Sequence, residues 1–270
     1  MTDAQPQFLN VGEGQGERRI AYISSHGAPH MVPGLVWLPG LKSDMVSTKA
    51  SFVADWALKT GRPFLRFDYS GHGQSDGDFE AGTMGRWLED TLAVLDRAAL
   101  GPQILIGSSM GGWIALMLLQ SMRDQGRKFA NHVCGAVLIA PAWNMTQDLI
   151  WERFSDEARE TIERNGVYHW PSDYGDDPYA ITKALIEEGR SHLLDPTGFD
   201  PGCPVRIIQG QRDPDVPWQH TLALVDLLTS SDVTLTLVKD GEHRLSRPQD
   251  LDLMIREVEA LWEQARKGAV

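Results

Sequence analysis

The sequence predicts an α/β fold: a mostly parallel sheet with helices on both faces and one helical insertion. Three observations predict it. Short runs rich in Val, Ile and Leu alternate with amphipathic stretches along nearly the whole chain. Some of these runs, such as Gly34-Leu-Val-Trp-Leu38, are apolar throughout, as strands covered on both faces must be. Residues 107–112 read Gly-Ser-Ser-Met-Gly-Gly directly after Gln103–Ile106, which places Gly-x-Ser-x-Gly where a strand gives way to a helix.

Taken in order, Arg19–Ile23 alternates and reads as an edge strand, and Gly34–Leu38 as a buried one ending in Pro39-Gly40. Ser47–Lys59 has helical spacing through Phe52, Val53, Trp56 and Ala57, with Gly61 as its stop. Pro63–Phe67 is the next strand, and Met84–Ala99 an amphipathic helix through Trp87, Leu88, Leu92 and Leu95. Gln103–Ile106 precedes the serine turn. Trp113–Met122 is apolar on nearly every side and is expected to be a buried helix. Val133–Ala140 is a further strand; Val205–Gln209 then leads to a helix at Trp218–Leu228, and Val233–Val238 to a helix at Gln249–Arg266. Residues 142–199 break the rhythm. They carry helical patterns at Leu149–Asn165 and Tyr179–Leu194, no clear strand, and a cluster of Trp143, Trp151, Phe154, Tyr168, Trp170, Tyr174 and Tyr179. A single domain spanning 1–270 with 142–199 as a helical lid over the sheet edge follows.

The net charge of −12 argues against a nucleic acid or an anionic membrane as partner, since phosphates want a basic face. Cys134 and Cys203 lie in or beside apolar runs and read as buried free thiols. The first residues lack the basic start and apolar core of a secretory signal, and no apolar run approaches membrane-spanning length. A soluble cytoplasmic protein is the expectation.

In a strand-to-helix turn the middle serine, Ser109, presents its hydroxyl outward as a nucleophile. A serine needs a base within hydrogen-bond reach, and the base an orienting carboxylate. In this topology the acid and then the histidine follow the serine along the chain. Asp213 lies in the loop after Val205–Gln209, and His243 in the loop after Val233–Val238, both at strand carboxyl ends. Asp215 competes with Asp213 for the acid. Attack on an acyl carbon also requires two donors for the oxyanion. The amides of Met110, after the nucleophile, and of Leu41, in Leu38-Pro-Gly-Leu-Lys-Ser-Asp44, are the candidates. His26, His30, His132, His169 and His192 read as surface or structural, His220 as packing one turn into a helix, and Asp68-Tyr-Ser-Gly-His-Gly-Gln-Ser75 as a structural turn held by Asp68. No His, Cys and Asp grouping has metal-ligand spacing, and Gly71-x-Gly73 lacks the third glycine of a dinucleotide loop.

Over nearly its whole length the chain resembles the α/β-hydrolase superfamily. The segments Arg66–Gly77, Gly101–Trp113 and Asp213–Trp218 are similar to the acyl-glucuronide esterase and palmitoyl-protein thioesterase type of abhydrolase. The resemblance implies a serine hydrolase of esters or thioesters, with Ser109, Asp213 and His243 as its triad and neither cofactor nor metal. The expected partner is a small ester or thioester, or an acylated protein, with Trp143 and Trp218 beside the acyl or aryl group. A non-catalytic binding protein on the same scaffold, a cofactor-free haloperoxidase and a C–C hydrolase remain the alternatives. A serine at the turn disfavours chemistry that uses an aspartate nucleophile there.

Overall fold

The computed structural model describes residues 5–25, 32–125, 133–171 and 178–268. His26, His30, His132 and Tyr174 lie outside the described residues. Among the described residues ten strands are formed: β1 Gln7–Val11, β2 Arg18–Ser25, β3 Gly34–Leu38, β4 Phe64–Phe67, β5 Gln103–Ser108, β6 Val133–Ile139, β7 Val167–Trp170, β8 Tyr179–Thr182, β9 Val205–Gly210 and β10 Val233–Val238. The helices are α1 Thr48–Thr60, α2 Met84–Ala98, α3 Met110–Gln125, α4 Asp156–Asn165, α5 Lys183–Gly189, α6 Trp218–Leu227 and α7 Pro248–Gly268. Eight strands make one sheet in the order β1-β2-β4-β3-β5-β6-β9-β10; β1–β2 and β2–β4 are antiparallel and the other pairs parallel.

The central strands are apolar on both sides because each side meets helices. In β3, Leu35 and Trp37 face α1 and α7, while Val36 and Leu38 face the core shared with α2 and α3. The same alternation runs through β5, with Ile104 and Ile106 on one side and Leu105 on the other. β1, by contrast, is mostly exposed and gave no sequence pattern. Helix ends follow local chemistry: Thr83, Ser155 and Thr182 side chains accept from the first turns of α2, α4 and α5.

Register decides where the loops go. Leu38 pairs with Gly107, Ser108 with Ile139, Ile139 with Ile208, and Gly210 with Val238. The carboxyl ends of β3, β5, β6, β9 and β10 therefore reach one edge together, and the loops after them are neighbours in space.

Residues 142–199 are not purely helical. A single π-helical turn at Met145–Ile150, the short helices α4 and α5, and the antiparallel pair β7–β8 are described there. The expected helix at Tyr179–Leu194 is instead β8 followed by α5, with Thr182 capping the helix between them. Four-residue strands such as Val-Tyr-His-Trp are too short for a period of two to stand out in a sequence. Cys134 and Cys203 are free, and burial pushes their thiols up to about 11 and about 12, so both are held as inert thiols. Among the described residues no helix is long and apolar enough to cross a membrane.

Leu261 of α7 is fully buried and seats against Gly135 of β6, where an added Cβ would lie 2.7 Å from its side chain. Leu261→Ala is expected to lower the stability read by urea unfolding by about 2–5 kcal/mol, with turnover per folded molecule unchanged. A loss well under 1 kcal/mol would mean that α7 is not seated on the sheet in this way.

Candidate active site

β5 ends at Ser108 and α3 begins at Met110, which leaves Ser109 alone in the turn with φ 53°. Its N–H donates to the Ile139 carbonyl at 2.9 Å, and its own carbonyl accepts from Gly112 at 2.9 Å and Ala142 at 3.1 Å. The turn is closed so tightly that a Cβ on Gly107 would lie 2.5 Å from the Gly111 carbonyl, and one on Gly111 would run into the Leu38 carbonyl. With the backbone pinned, the Ser109 side chain is the part left to face outward.

His243 reaches it from the loop after β10. Its Nε2 lies 3.0 Å from Ser109 Oγ, and its Nδ1 2.8 Å from Asp213 Oδ2. The Asp213 side chain is wholly buried. Its Oδ1 accepts the N–H groups of Asp215 and Val216, each at 2.9 Å. A carboxylate can only accept at Nδ1, so Nδ1 carries the proton and Nε2 is left as the acceptor for the serine O–H. Asp215 serves the site through its backbone, by donating to Asp213. Side-chain ligand atoms of Asp213, Asp215 and His243 come within 4.8 Å of one another, a gathering that sequence spacing did not show. A cation there would have to displace the proton shared between His243 and Asp213.

The loop after β3 lies against the turn: a Cβ on Gly40 would sit 3.3 Å from Ser109 Cβ. Leu41 follows Gly40 in a turn closed by Ser43 N–H to the Gly40 carbonyl at 3.1 Å, and Met110 opens α3, where the helix dipole favours negative charge. Among the described residues neither amide enters a backbone hydrogen bond of the loops and turns. The far end of the loop is held from β4. Asp68 accepts from Met45 N–H at 2.6 Å and from Gln74 N–H at 2.8 Å, and Arg66 donates to the Met45 carbonyl at 2.9 Å. Asp68 thus braces two loops rather than its own turn alone.

Ser109 and His243 open into a cavity of about 760 Å³. One wall is apolar, built from Met145, Leu149, Ile150, Trp170, Tyr179 and Ile181 of the 142–199 segment. A polar part of the lining comes from the start of α1 and the loop before it, with Lys42, Asp44, Thr48 and Lys49. Trp143 and Trp218, expected beside the substrate, do not line it. Trp143 stacks on His220 at 4.5 Å and exchanges hydrogen bonds with it, its indole donating to the His220 carbonyl at 3.0 Å and His220 Nε2 to the Trp143 carbonyl at 2.8 Å. That closed pair keeps the ring out of the cavity. Trp170 and Tyr179 take the place expected of it, from strands that the sequence pattern did not disclose.

Lys49 Nζ donates to the carbonyl of Arg244, the residue after His243. Loss of hydration, with the Arg244 charge beside it, pushes this ammonium down to about 8 against the pull of Asp213 and Asp250. The folded state therefore holds this proton less tightly than the unfolded chain does. Folding is penalised while Lys49 is charged, and the penalty lifts as pH rises from about 8 toward the ordinary lysine value. Lys49→Met is expected to be more stable than the parent at pH 7 by about 1 kcal/mol, with the gain shrinking above about pH 8 and vanishing only by about pH 11 in urea titrations. A gain that grows with pH would contradict this.

Comparisons with known proteins agree with this architecture. The profile of the Alpha/beta hydrolase family matches residues 25–260. The palmitoyl-protein thioesterase ABHD10, mitochondrial, of Mus musculus is 36% identical over 264 residues, covering 97% of this chain and 84% of its own. A crystal structure of a putative hydrolase from Agrobacterium vitis S4 superposes with a TM-score of 0.91 at 47% identity, covering 95% of this chain and 98% of that one. Alpha/beta hydrolase domain-containing protein 10 from mouse superposes with a TM-score of 0.83 at 34% identity, covering 97% and 99%. The cytoplasmic expectation is contradicted by the ABHD10 thioesterase relatives, which are mitochondrial by name. Apolar-run arguments test for secretion and membrane spanning only, and they do not tell the cytosol from an organelle's interior. The resemblance read from the serine turn and its flanking segments is thereby upheld, and the chain belongs to the Alpha/beta hydrolase family.

Proposed function

We propose that this chain is a serine hydrolase of carboxylic esters and thioesters that works through an acyl-enzyme. The observation that carries the reading is the placement of His243 between Ser109 Oγ at 3.0 Å and Asp213 Oδ2 at 2.8 Å. His243 Nε2 takes the hydroxyl proton as Ser109 attacks the acyl carbon. Buried Asp213 fixes the tautomer and stabilises the cation that forms. The Leu41 and Met110 amides are the donors for the oxyanion, preorganised by the glycine turn and the start of α3. The alcohol or thiol departs with the proton from His243. Water, deprotonated by the same imidazole, then releases the acid and restores Ser109.

The cavity supports an acyl substrate. An acyl group fits the apolar wall, and a polar leaving group the wall formed by Lys42, Asp44 and Lys49. Names of the ABHD10 relatives point the same way, toward acyl thioesters. Residues 142–199 act as the lid of a single domain, since their apolar side chains cover the cavity into which Ser109 opens.

The wild-type protein is expected to hydrolyse p-nitrophenyl octanoate and an octanoyl thioester. Ser109→Ala is expected to lose this activity by at least about 10³-fold with the melting temperature almost unchanged. Asp213→Asn is expected to lose roughly 10³- to 10⁴-fold by forcing the wrong imidazole tautomer, whereas Asp215→Asn, whose backbone N–H persists, stays within a few-fold of wild type. Equal turnover by Ser109→Ala, or a larger loss in Asp215→Asn than in Asp213→Asn, contradicts the assignment.

A further inference from the structure

Behind Asp213 lies a side chain that no role in the reaction has yet absorbed. Gln209, at the end of β9, has no exposed surface. Its Nε2 lies 3.2 Å from Asp213 Oδ2, 3.0 Å from the Gly210 carbonyl and 2.9 Å from the Val216 carbonyl. Its Oε1 accepts the Thr221 hydroxyl at 2.7 Å, and Thr221 is equally buried on α6. Three of these neighbours are acceptors only, so the NH₂ side must face them, and the amide orientation is fixed by chemistry. Oδ2 of Asp213 therefore receives two donors, His243 Nδ1–H and Gln209 Nε2–H.

We infer that Gln209 is a positioning residue for the hydrolytic reaction: anchored by Thr221, its amide holds both the Asp213 carboxylate and the Val216 end of the acid loop, and so sets the line along which His243 meets Ser109. The inference rests on the serine-hydrolase reading. A carboxylate with two oxygens can rotate about its bond to Cβ. Asp215 and Val216 N–H groups fix Oδ1, and Gln209 fixes Oδ2 against the same loop, so rotation would break hydrogen bonds on both sides at once. The amide also shares the negative charge that His243 would otherwise draw on alone. Gln209 itself does not line the substrate cavity; it reaches that cavity only through the Val216 backbone that it holds.

The test compares Gln209→Met, an unbranched side chain of similar length without donors, with Thr221→Val and wild type, using the octanoyl thioester. In Gln209→Met, kcat is expected to fall roughly 10- to 100-fold with KM within about twofold, because the geometry of attack and not binding is lost. With the charge on Oδ2 no longer shared, the imidazolium is better stabilised, and the acid limb of the kcat/KM profile moves to higher pH. The other charged groups beside His243 (Asp215, Lys49 and Arg244) are unchanged in the variant. Thr221→Val loosens the amide without removing it and is expected to show a smaller shift of the same sign. A Gln209→Met enzyme with wild-type kcat and an unmoved acid limb overturns the inference. So does a loss of kcat that follows the fraction unfolded while the limb stays in place. If Gln209→Met does not fold, Thr221→Val decides alone, and an unmoved limb there overturns it. Failure of wild type to hydrolyse any ester or thioester, or survival of activity in Ser109→Ala, would instead sink the underlying reading and is seen in the same plates.

Discussion

The backbone at Gly107 and Gly111 is packed so closely that no side chain fits at either position, and the rest of the site depends on that closeness. Ser109 holds a left-handed conformation, which costs a residue with a side chain roughly 1–3 kcal/mol and persists only where the surroundings over-determine it. Here they do: the Ile139 carbonyl and the Gly112 and Ala142 amides hold Ser109, while Gly107 and Gly111 let three segments of backbone touch. The consequence is a hydroxyl displayed at the edge where parallel strands end. Parallel pairing with matched registers then delivers the loops bearing Leu41, Asp213 and His243 to the same edge.

Around this turn the structure spends its buried polar groups on holding loops still. Asp68 and Arg66 grip Met45, and Asp213 is held on both oxygens. Arg153, from the 142–199 segment, donates to the Asp215 carbonyl at 2.8 Å and the Pro214 carbonyl at 3.3 Å. Lys42, next to Leu41, donates to the Pro178 carbonyl at 3.1 Å and lies over the Tyr179 ring. The covering segment is thus tied to the acid loop at one end and to the Leu41 loop at the other. Substrate cover and chemical groups are parts of one hydrogen-bonded frame, which suits a site that must be assembled before attack.

Much of this was legible in the residues. Central strands announce themselves by unbroken apolar runs, as β3 does, and the bounds of β3 and of the alternating edge strand β10 coincide with the stretches read from the sequence. Gly-x-Ser-x-Gly after a strand carries its own geometry, and chain order led to Asp213 and His243. What escaped has physical reasons. β1 is mostly exposed, and β7 and β8 are four residues each, too short to show a period. Trp143 looked like a pocket residue by type, but its indole is satisfied by His220, a partner 77 positions away. Lys49 and Gln209 belong to elements whose pattern says only helix and strand; their importance arises from Arg244 and Asp213, reached through the fold. The compartment is set by address signals, which packing chemistry does not contain.

In the proposed reaction Ser109 owes its reactivity to His243. Fluorophosphonate labelling near neutral pH, followed by peptide mapping, tests it most directly. A single adduct on Ser109 is expected, with a labelling rate that collapses in His243→Ala although the fold persists. An adduct on another residue, or Ser109 labelled as fast without His243 as with it, would mean that His243 does not activate this serine.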